Sequence, residues 1–264
     1  MNDVGPLASP PASHAPSAEA ARADLEALVA AHGVDAVRCD DRAALTAVPD
    51  GAAATWGFDW PRAAEPRASA VLILFGELDT VPAEHDGRAC GVSPAVDVLL
   101  TQRAASMRKH AGQVAFPGGG VEPQDEDVVA TALREAHEET GLDPSGVDVL
   151  GVLPAVPVIV SGYVVHPVVG WWRDPSRVAV VDEAEASDVF RMPVADLVAP
   201  EHRVRVRRPG GGRGVTPGFL VADRLVWGFT AGLLDRVLQL VGWDQPWDDS
   251  RLVDPLTRED LAEA

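Results

Sequence analysis

Residues 118–142, GGGVEPQDEDVVATALREAHEETGL, constrain this chain more than any other stretch. Three glycines lead into an acidic turn and then into a helix-forming run that closes at Gly141, a residue suited to the left-handed conformation that ends helices. Glu135, Glu138 and Glu139 fall within about one turn of that helix. Two like unit charges ~4 Å apart repel by about 4 kcal/mol at an effective dielectric of ~20. A chain that carries this cost either solvates the charges or neutralises them with a cation.

Periodicity helps to separate the two options. On a wheel of ~100° per residue with Val128 at zero, Val129, Leu133 and Ala136 cover roughly 80–140° and form the expected buried stripe. Ala130 and His137 are expected to face water. Glu135 and Glu139 fall within about 20° of Val128, at the edge of the stripe rather than opposite it. There, desolvation worsens their repulsion. One turn apart, the two carboxylates can reach one divalent cation or two neighbouring ones, and all-oxygen ligation suits Mg²⁺ or Mn²⁺. Arg134 and Glu138 form an i,i+4 pair in the less favourable order for helix stability, which points to an arginine that orients carboxylates; a surface ion pair is the alternative. The glycines allow backbone to approach a metal or a phosphate closely, with a carbonyl such as that of Gly119 as a further ligand.

The surrounding sequence reads as a mixed sheet with few helices, an α/β or α+β domain over about 66–245. Apolar runs at 70–75, 96–102, 147–153, 163–172 and 188–192 read as strands. Residues 203–207 and 218–221 flank a Gly/Arg-rich turn, and 230–241 forms an amphipathic helix. Residues 1–18, rich in Pro, Ala and Ser, lack the large apolar residues that offset chain entropy and read as a disordered tail. Residues 19–65 read as an N-terminal helical extension, and 246–264 as a loosely packed acidic tail. The formal net charge of −18 argues against a nucleic-acid partner of the usual basic kind. No apolar run reaches the ~18–20 residues that span a bilayer, and the N-terminus has no secretory pattern. Cys39 and Cys90, the only cysteines, form neither a metal-ligand spacing nor a disulfide framework, so a reduced, cytoplasmic setting is expected.

Gly120, Glu126 and the run Arg134-Glu135-Ala136-His137-Glu138-Glu139-Thr140-Gly141-Leu142 match the spacing of the Nudix box at every defined position. The chain therefore resembles the Nudix hydrolases. That resemblance implies a mixed sheet between helices and hydrolysis of a nucleoside diphosphate linked to another group. It implies Glu135, Glu138 and Glu139 as metal-binding acids, with Arg134 supporting them and Glu126 at the first acidic position. Residues 99–119, LLTQRAASMRKHAGQVAFPGG, resemble the second signature of the coenzyme A diphosphatase branch, carried by Leu99, Leu100, Thr101, Arg103, Arg108, Gly112, Phe116, Pro117, Gly118 and Gly119. The implied substrate is coenzyme A or an acyl derivative, cleaved to 3′,5′-ADP and 4′-phosphopantetheine. Arg103 and Arg108 are the expected phosphate contacts, since arginine binds phosphate bidentately, and Gly118 and Gly119 line the same place.

The general base is expected outside the helix, among Asp182, Glu183, Glu185 and Asp188, with Glu185 preferred and Glu138 the competing choice. His110 and His166 read as structural. The arginines at 203, 205, 207 and 208 read as an exposed edge strand, with contact to a 3′-phosphate as the alternative. Of Trp171 and Trp172, one is expected in the core and one at a groove. Rival readings are a Nudix diphosphatase for dinucleoside polyphosphates, nucleotide sugars, ADP-ribose or capped RNA, and a ligand sensor without catalysis. A homodimer is compatible with the sequence.

Overall fold

The computed structural model describes residues 17–48, 52–56, 65–77, 82–87, 91–105, 112–158, 162–207, 214–257 and 260–261. Arg108, His110, Cys90 and residues 1–16 and 208–213 lie outside them. In chain order the elements are α1 (Ala18–His32), α2 (Arg42–Leu45), α3 (Ala52–Trp56), β1 (Arg67–Glu77), β2 (Val96–Arg103), β3 (Val114–Ala115), β4 (Gly118–Gly120) and α4 (Val128–Thr140). There follow β5 (Val147–Val152), β6 (Val156–Val158), β7 (Tyr163–Trp172), β8 (Ala186–Pro193), α5 (Val194–Val198), β9 (Arg203–Arg207), β10 (Val215–Val221), β11 (Arg224–Val226), α6 (Gly228–Leu240), β12 (Leu252–Val253) and β13 (Asp260–Leu261).

The AVLILF run of β1 is apolar at every position because both faces of its sheet are covered. Ala70, Leu72 and Leu74 point into one core with Val128, Ala132 and Ala136 of α4. Ile73 and Phe75 point into the other, which holds Leu25 and Leu28 of α1 and Leu233, Leu234, Val237 and Leu238 of α6. This is the mixed sheet between helices that the sequence led one to expect. β1 runs parallel to β7 from Arg67↔Tyr163 to Gly76↔Trp172. Its other edge is shared: Phe75–Glu77 pair antiparallel with β2, whereas Ser69–Val71 pair antiparallel with the glycine strand β4. That division opens the sheet beside β4, and α4 lies across the opening.

Three expectations need correction. The arginine-rich strand β9 is not an exposed edge. It is the middle strand of a second sheet ordered β11-β10-β9-β12-β13. Val204 and Val206 are fully buried, and Arg203 is buried too, ion-paired with Asp235 of α6 and lying over the Phe219 ring. Its guanidinium packs in the core against Asp235 and Phe219. The C-terminal segment is not loose: Leu252 and Val253 pair in parallel with Arg205 and Val206, and Val253 is fully buried. Trp171 and Trp172 are both buried, so neither faces a groove; Arg191 stacks on Trp172 at 4.8 Å.

The N-terminal extension carries α1, α2 and α3 and is built into the fold. Arg22 of α1 pairs with Asp148 of β5 at 3.0 Å, and Trp56 Nε1 donates to the Pro154 carbonyl at 2.9 Å. Beyond α1, Val128 N donates to the Val37 carbonyl and Cys39 N to the Glu126 carbonyl, both at 3.0 Å, which fixes the entry into α4. His166 is structural as expected: it is buried and its Nε2 lies 2.9 Å from the Leu45 carbonyl, with burial holding its pKa below the usual range. Among the described residues no helix is long and apolar enough to cross a membrane.

Candidate functional site

Helix α4 begins where the Asp127 side chain accepts from Val129 N and Ala130 N, both at 2.9 Å, and ends at Gly141 with φ 71°. Its buried face differs from the one the wheel assigned. Val128, Thr131, Ala132, Ala136 and Thr140 are buried, whereas Val129 and Leu133 are only partly so. The stripe is thus centred on the small residues Ala132 and Ala136, which let the helix approach the sheet. Glu135 and Glu139 lie on this inward face rather than at its edge. His137 is exposed as expected and Ala130 half-buried.

Glu135 is mostly buried, with 16 % of its side chain exposed, and its carboxylate lies directly against Gly119. A Cβ built on Gly119 would sit 2.4 Å from Glu135 Cδ and 2.5 Å from both carboxylate oxygens. Glycine is the one residue that leaves this cradle open. Gly118 is constrained by the opposite neighbour: a Cβ there would sit 2.4 Å from the Ala70 carbonyl oxygen. Its amide donates to Glu139 Oε2 at 3.2 Å. Glu139 is desolvated enough to push its carboxyl up to about 7, with the negative charges of Glu135 and Glu185 adding to the effect and Gly118 N–H and the Arg103 charge opposing it. Burial also raises Glu135, against the pull of Arg134. Glu138 points outward, with 55 % of its side chain exposed.

Arg134 organises these acids. Nη1 donates to Glu135 Oε1 at 3.0 Å and to Glu138 Oε2 at 2.9 Å, and Nη2 donates to the Gly120 carbonyl at 3.0 Å. The guanidinium is itself held by a residue that sequence reasoning missed. Asp125, 3 % exposed at its side chain, accepts from Nε at 2.8 Å and from Nη2 at 3.0 Å. Asp125 also accepts from Glu122 N and Thr131 Oγ1, both at 2.9 Å, and the donors hold its pKa below the usual range despite burial. The signal available was its place in an acidic run, where attention went to Glu126. Glu126 is exposed, and its side chain lies 3.5 Å from Arg38.

Strand β2 ends at Arg103, whose Nε is buried with no hydrogen-bond partner among the described residues. The next amide, Ala104 N, donates to the Glu185 carbonyl at 2.9 Å, tying the 182–185 turn to the same strand end. The charges of Arg103 and Glu185 both act on Glu139; Glu183 and Glu185 are both exposed on the turn, and Asp188 pairs with Arg224 at 2.6 Å. Arg108 lies outside the described residues.

A model of the NUDIX domain matches residues 85–209. An uncharacterized Nudix hydrolase, NudL, of Escherichia coli O7:K1 (strain IAI39 / ExPEC) is 44% identical over 151 residues, covering 56% of this chain and 77% of that protein. NudL of Shigella boydii serotype 18 (strain CDC 3083-94 / BS512) matches to the same extent. The chain belongs to the Nudix hydrolase family. Among solved structures, the Nudix hydrolase RenU of M. smegmatis is 22% identical, covering 51% of this chain and 73% of that one, with a TM-score of 0.33.

Nudix hydrolases act on diphosphate bonds and generally use divalent metal ions. The donors at this site fit such an ion. Glu135, Glu138, Glu139 and Asp125 oppose the guanidinium groups of Arg134 and Arg103, so the carboxylates are in excess of the cations when ionised. The Gly119 cradle keeps one carboxylate accessible beside the glycine strand, and desolvation of Glu135 and Glu139 makes neutralisation by a cation favourable. Arg134 and the Gly118 amide hold these carboxylates. Among the described residues, the donor atoms that already converge within 4.8 Å of one another belong to a different group, Glu84, His85 and His202.

Proposed function

We propose that this Nudix hydrolase cleaves the diphosphate of coenzyme A or an acyl derivative, yielding 3′,5′-ADP and 4′-phosphopantetheine or its acyl form. The observation that carries this reading is Arg103. A buried guanidinium N–H without a partner costs about 1–3 kcal/mol, and this one stands beside the acidic helix on the strand that opens the 99–119 segment. A phosphate oxygen is the acceptor that repays it. Arg108 is assigned as the second phosphate contact from the same segment, and the backbone of Gly118 and Gly119 as the floor of the site.

Glu135, Glu138 and Glu139 would hold Mg²⁺ or Mn²⁺, with the Gly119 carbonyl as a further donor. When bound, the ion supplies charge neutralisation at the diphosphate and Lewis acidity. The reaction adds water across the anhydride: the water oxygen bonds to one phosphorus, the bridging oxygen leaves on the other phosphate, and a proton passes to a base. Glu185 is assigned as that base, because its turn is tied to the end of β2 and its charge reaches Glu139. Glu138, held outward by Arg134, is the competing base. Arg134 acts as a positioning residue through Glu135 and Glu138.

The test is a panel of coenzyme A, acetyl-coenzyme A, ADP-ribose and diadenosine tetraphosphate with Mg²⁺ and with Mn²⁺. Coenzyme A or its acetyl form is expected to have the highest kcat/KM. Arg103→Ala should weaken it by about 10–100-fold, the equivalent of one charge-assisted hydrogen bond. A more than tenfold preference for ADP-ribose overturns the assignment.

A further inference from the structure

A second group of ligating side chains lies on other elements, between the loop that follows β1 and the turn that joins α5 to β9. Glu84, His85 and His202 each offer one ligand atom, and those atoms lie within 4.8 Å of one another. Both imidazoles are held by a single residue, Asp196 of α5, whose side chain is 5 % exposed. Its carboxylate faces His85 Nδ1 at 3.0 Å, and its backbone carbonyl faces His202 Nδ1 at 2.7 Å. His202 therefore carries its proton on Nδ1 and presents its Nε2 lone pair outward, whereas His85 faces a carboxylate at both ring nitrogens, Asp196 at Nδ1 and Glu201 at Nε2, and would give up its Nε2 proton to a bound cation. A carboxylate or carbonyl behind each ring is the arrangement that orients metal-ligating histidines and raises their basicity. The rings stand perpendicular, with centroids 5.0 Å apart, so they do not block one another by stacking.

Asp196 also accepts from Glu84 N at 3.1 Å and His85 N at 2.8 Å, which fixes the backbone of the loop. Glu201 stands beside them: its Oε1 accepts from His85 Nε2 at 2.8 Å, and the same oxygen could turn to a cation that displaces that proton. We propose that Glu84, His85, Glu201 and His202 form a structural site for Zn²⁺, chemically distinct from the glutamate helix, that staples the loop after β1 to the α5–β9 turn. Two imidazoles and two carboxylates suit Zn²⁺, Co²⁺ or Ni²⁺ rather than Mg²⁺, which prefers an all-oxygen octahedron. A tetrahedral zinc site needs ligand atoms about 3.4 Å apart. The exposed Glu84 and Glu201 side chains can make that adjustment without moving the backbone.

The site joins the two sheets, because α5 follows β8 of the first and His202 immediately precedes β9 of the second. Its occupancy would stabilise their junction without entering the hydrolytic reaction.

The test uses the full chain, free of any purification tag, stripped of metal and carrying Glu135→Gln with Glu139→Gln, so that binding at the catalytic helix is removed. Zn²⁺ is titrated by calorimetry with Mg²⁺ in excess, and Co²⁺ is used as a visible-absorption probe of tetrahedral nitrogen–oxygen ligation. One equivalent of Zn²⁺ is expected, together with a rise in Tm that Mg²⁺ does not give. His202→Gln should abolish both, and Asp196→Asn should weaken binding about 10–100-fold. If either of these does not fold, Glu84→Gln, which alters only an exposed side chain, should still weaken Zn²⁺ binding about tenfold. Absence of a Zn²⁺ equivalent, or binding unchanged by His202→Gln or by Glu84→Gln, overturns the site. None of these outcomes bears on coenzyme A cleavage.

Discussion

Glu139→Gln separates a carboxylate that is merely acidic from one held in a dry layer to receive a cation. The parent carboxyl is raised from 4.5 to about 7, chiefly by desolvation. The native state thus holds this proton more tightly than the unfolded chain. The resulting contribution to stability is fully present below pH ~4.5, declines as pH rises, and is gone above pH ~7. The gap corresponds to about 3 kcal/mol. Glutamine keeps the shape and can still accept from Gly118 N, yet cannot ionise. In chelator, Glu139→Gln should match the parent near pH 4.5 and exceed it by up to about 3 kcal/mol at pH 8, or roughly 6–12 °C in Tm for a chain of this size. Urea unfolding at the two pH values measures the difference, and ionisations common to both proteins cancel in it. Added Mg²⁺ should then reverse the order, because it stabilises only the form that binds it. A variant that loses stability at pH 8, or differs from the parent equally at both pH values, refutes the reasoning.

Gly119→Ala forces a methyl group against the Glu135 carboxylate, 2.4 Å from its Cδ. Activity should fall by about 100-fold, the cost of an ~1 Å misplacement, while far-UV circular dichroism stays that of the parent. Asp125→Asn removes the charge behind Arg134 and should cost about 1.5–3 kcal/mol in urea denaturation, with kcat lowered because Glu135 and Glu138 lose their anchor. Glu185→Gln should lower kcat by about 10²–10⁴-fold and remove the acidic limb of the pH–rate profile. Unchanged turnover would pass the role of base to Glu138.

Much of this architecture was legible because its signals are local. Strand β7 coincides with the apolar run at 163–172, and α4 is bounded by an aspartate and a glycine whose side chain and φ do what those residue types do at helix ends. The misread parts depend on what packs against them. Arginines on β9 read as an exposed edge because four charges in a short run are normally solvated. No local pattern reveals that β12 covers one side of the strand and that Asp235 of α6 waits over Arg203. The N-terminal extension carried no motif, yet its backbone carbonyl at Val37 caps the entry to α4. Asp125 was passed over for the same reason. Its importance lies in the two ends of one guanidinium that it grips, a relation between residues nine apart that no periodicity encodes.

The wheel for α4 failed in the most informative way. It gave the core to Val129, Leu133 and Ala136, and left Glu135 and Glu139 at the margin. The helix does bury Ala136, but with Ala132 rather than Val129 and Leu133, and these alanines are small enough to bring its axis close to the glycine strand. That rotation carries two glutamates into the layer between α4 and β4, where a polar pattern conflicts with burial; such conflicts concentrate at functional sites. It follows that hydrophobic periodicity and site chemistry cannot be assigned independently here. The same close approach that requires alanines on the helix and glycines on the strand desolvates the acids, and it is desolvation that lifts Glu139 to about 7. A looser interface with valine in place of Ala132 would pack as well by hydropathy, yet would move Glu135 away from Gly119 and return both acids towards water. The glycine strand, the alanine stripe and the glutamates are therefore one device, in which close packing and the desolvation of acids come together.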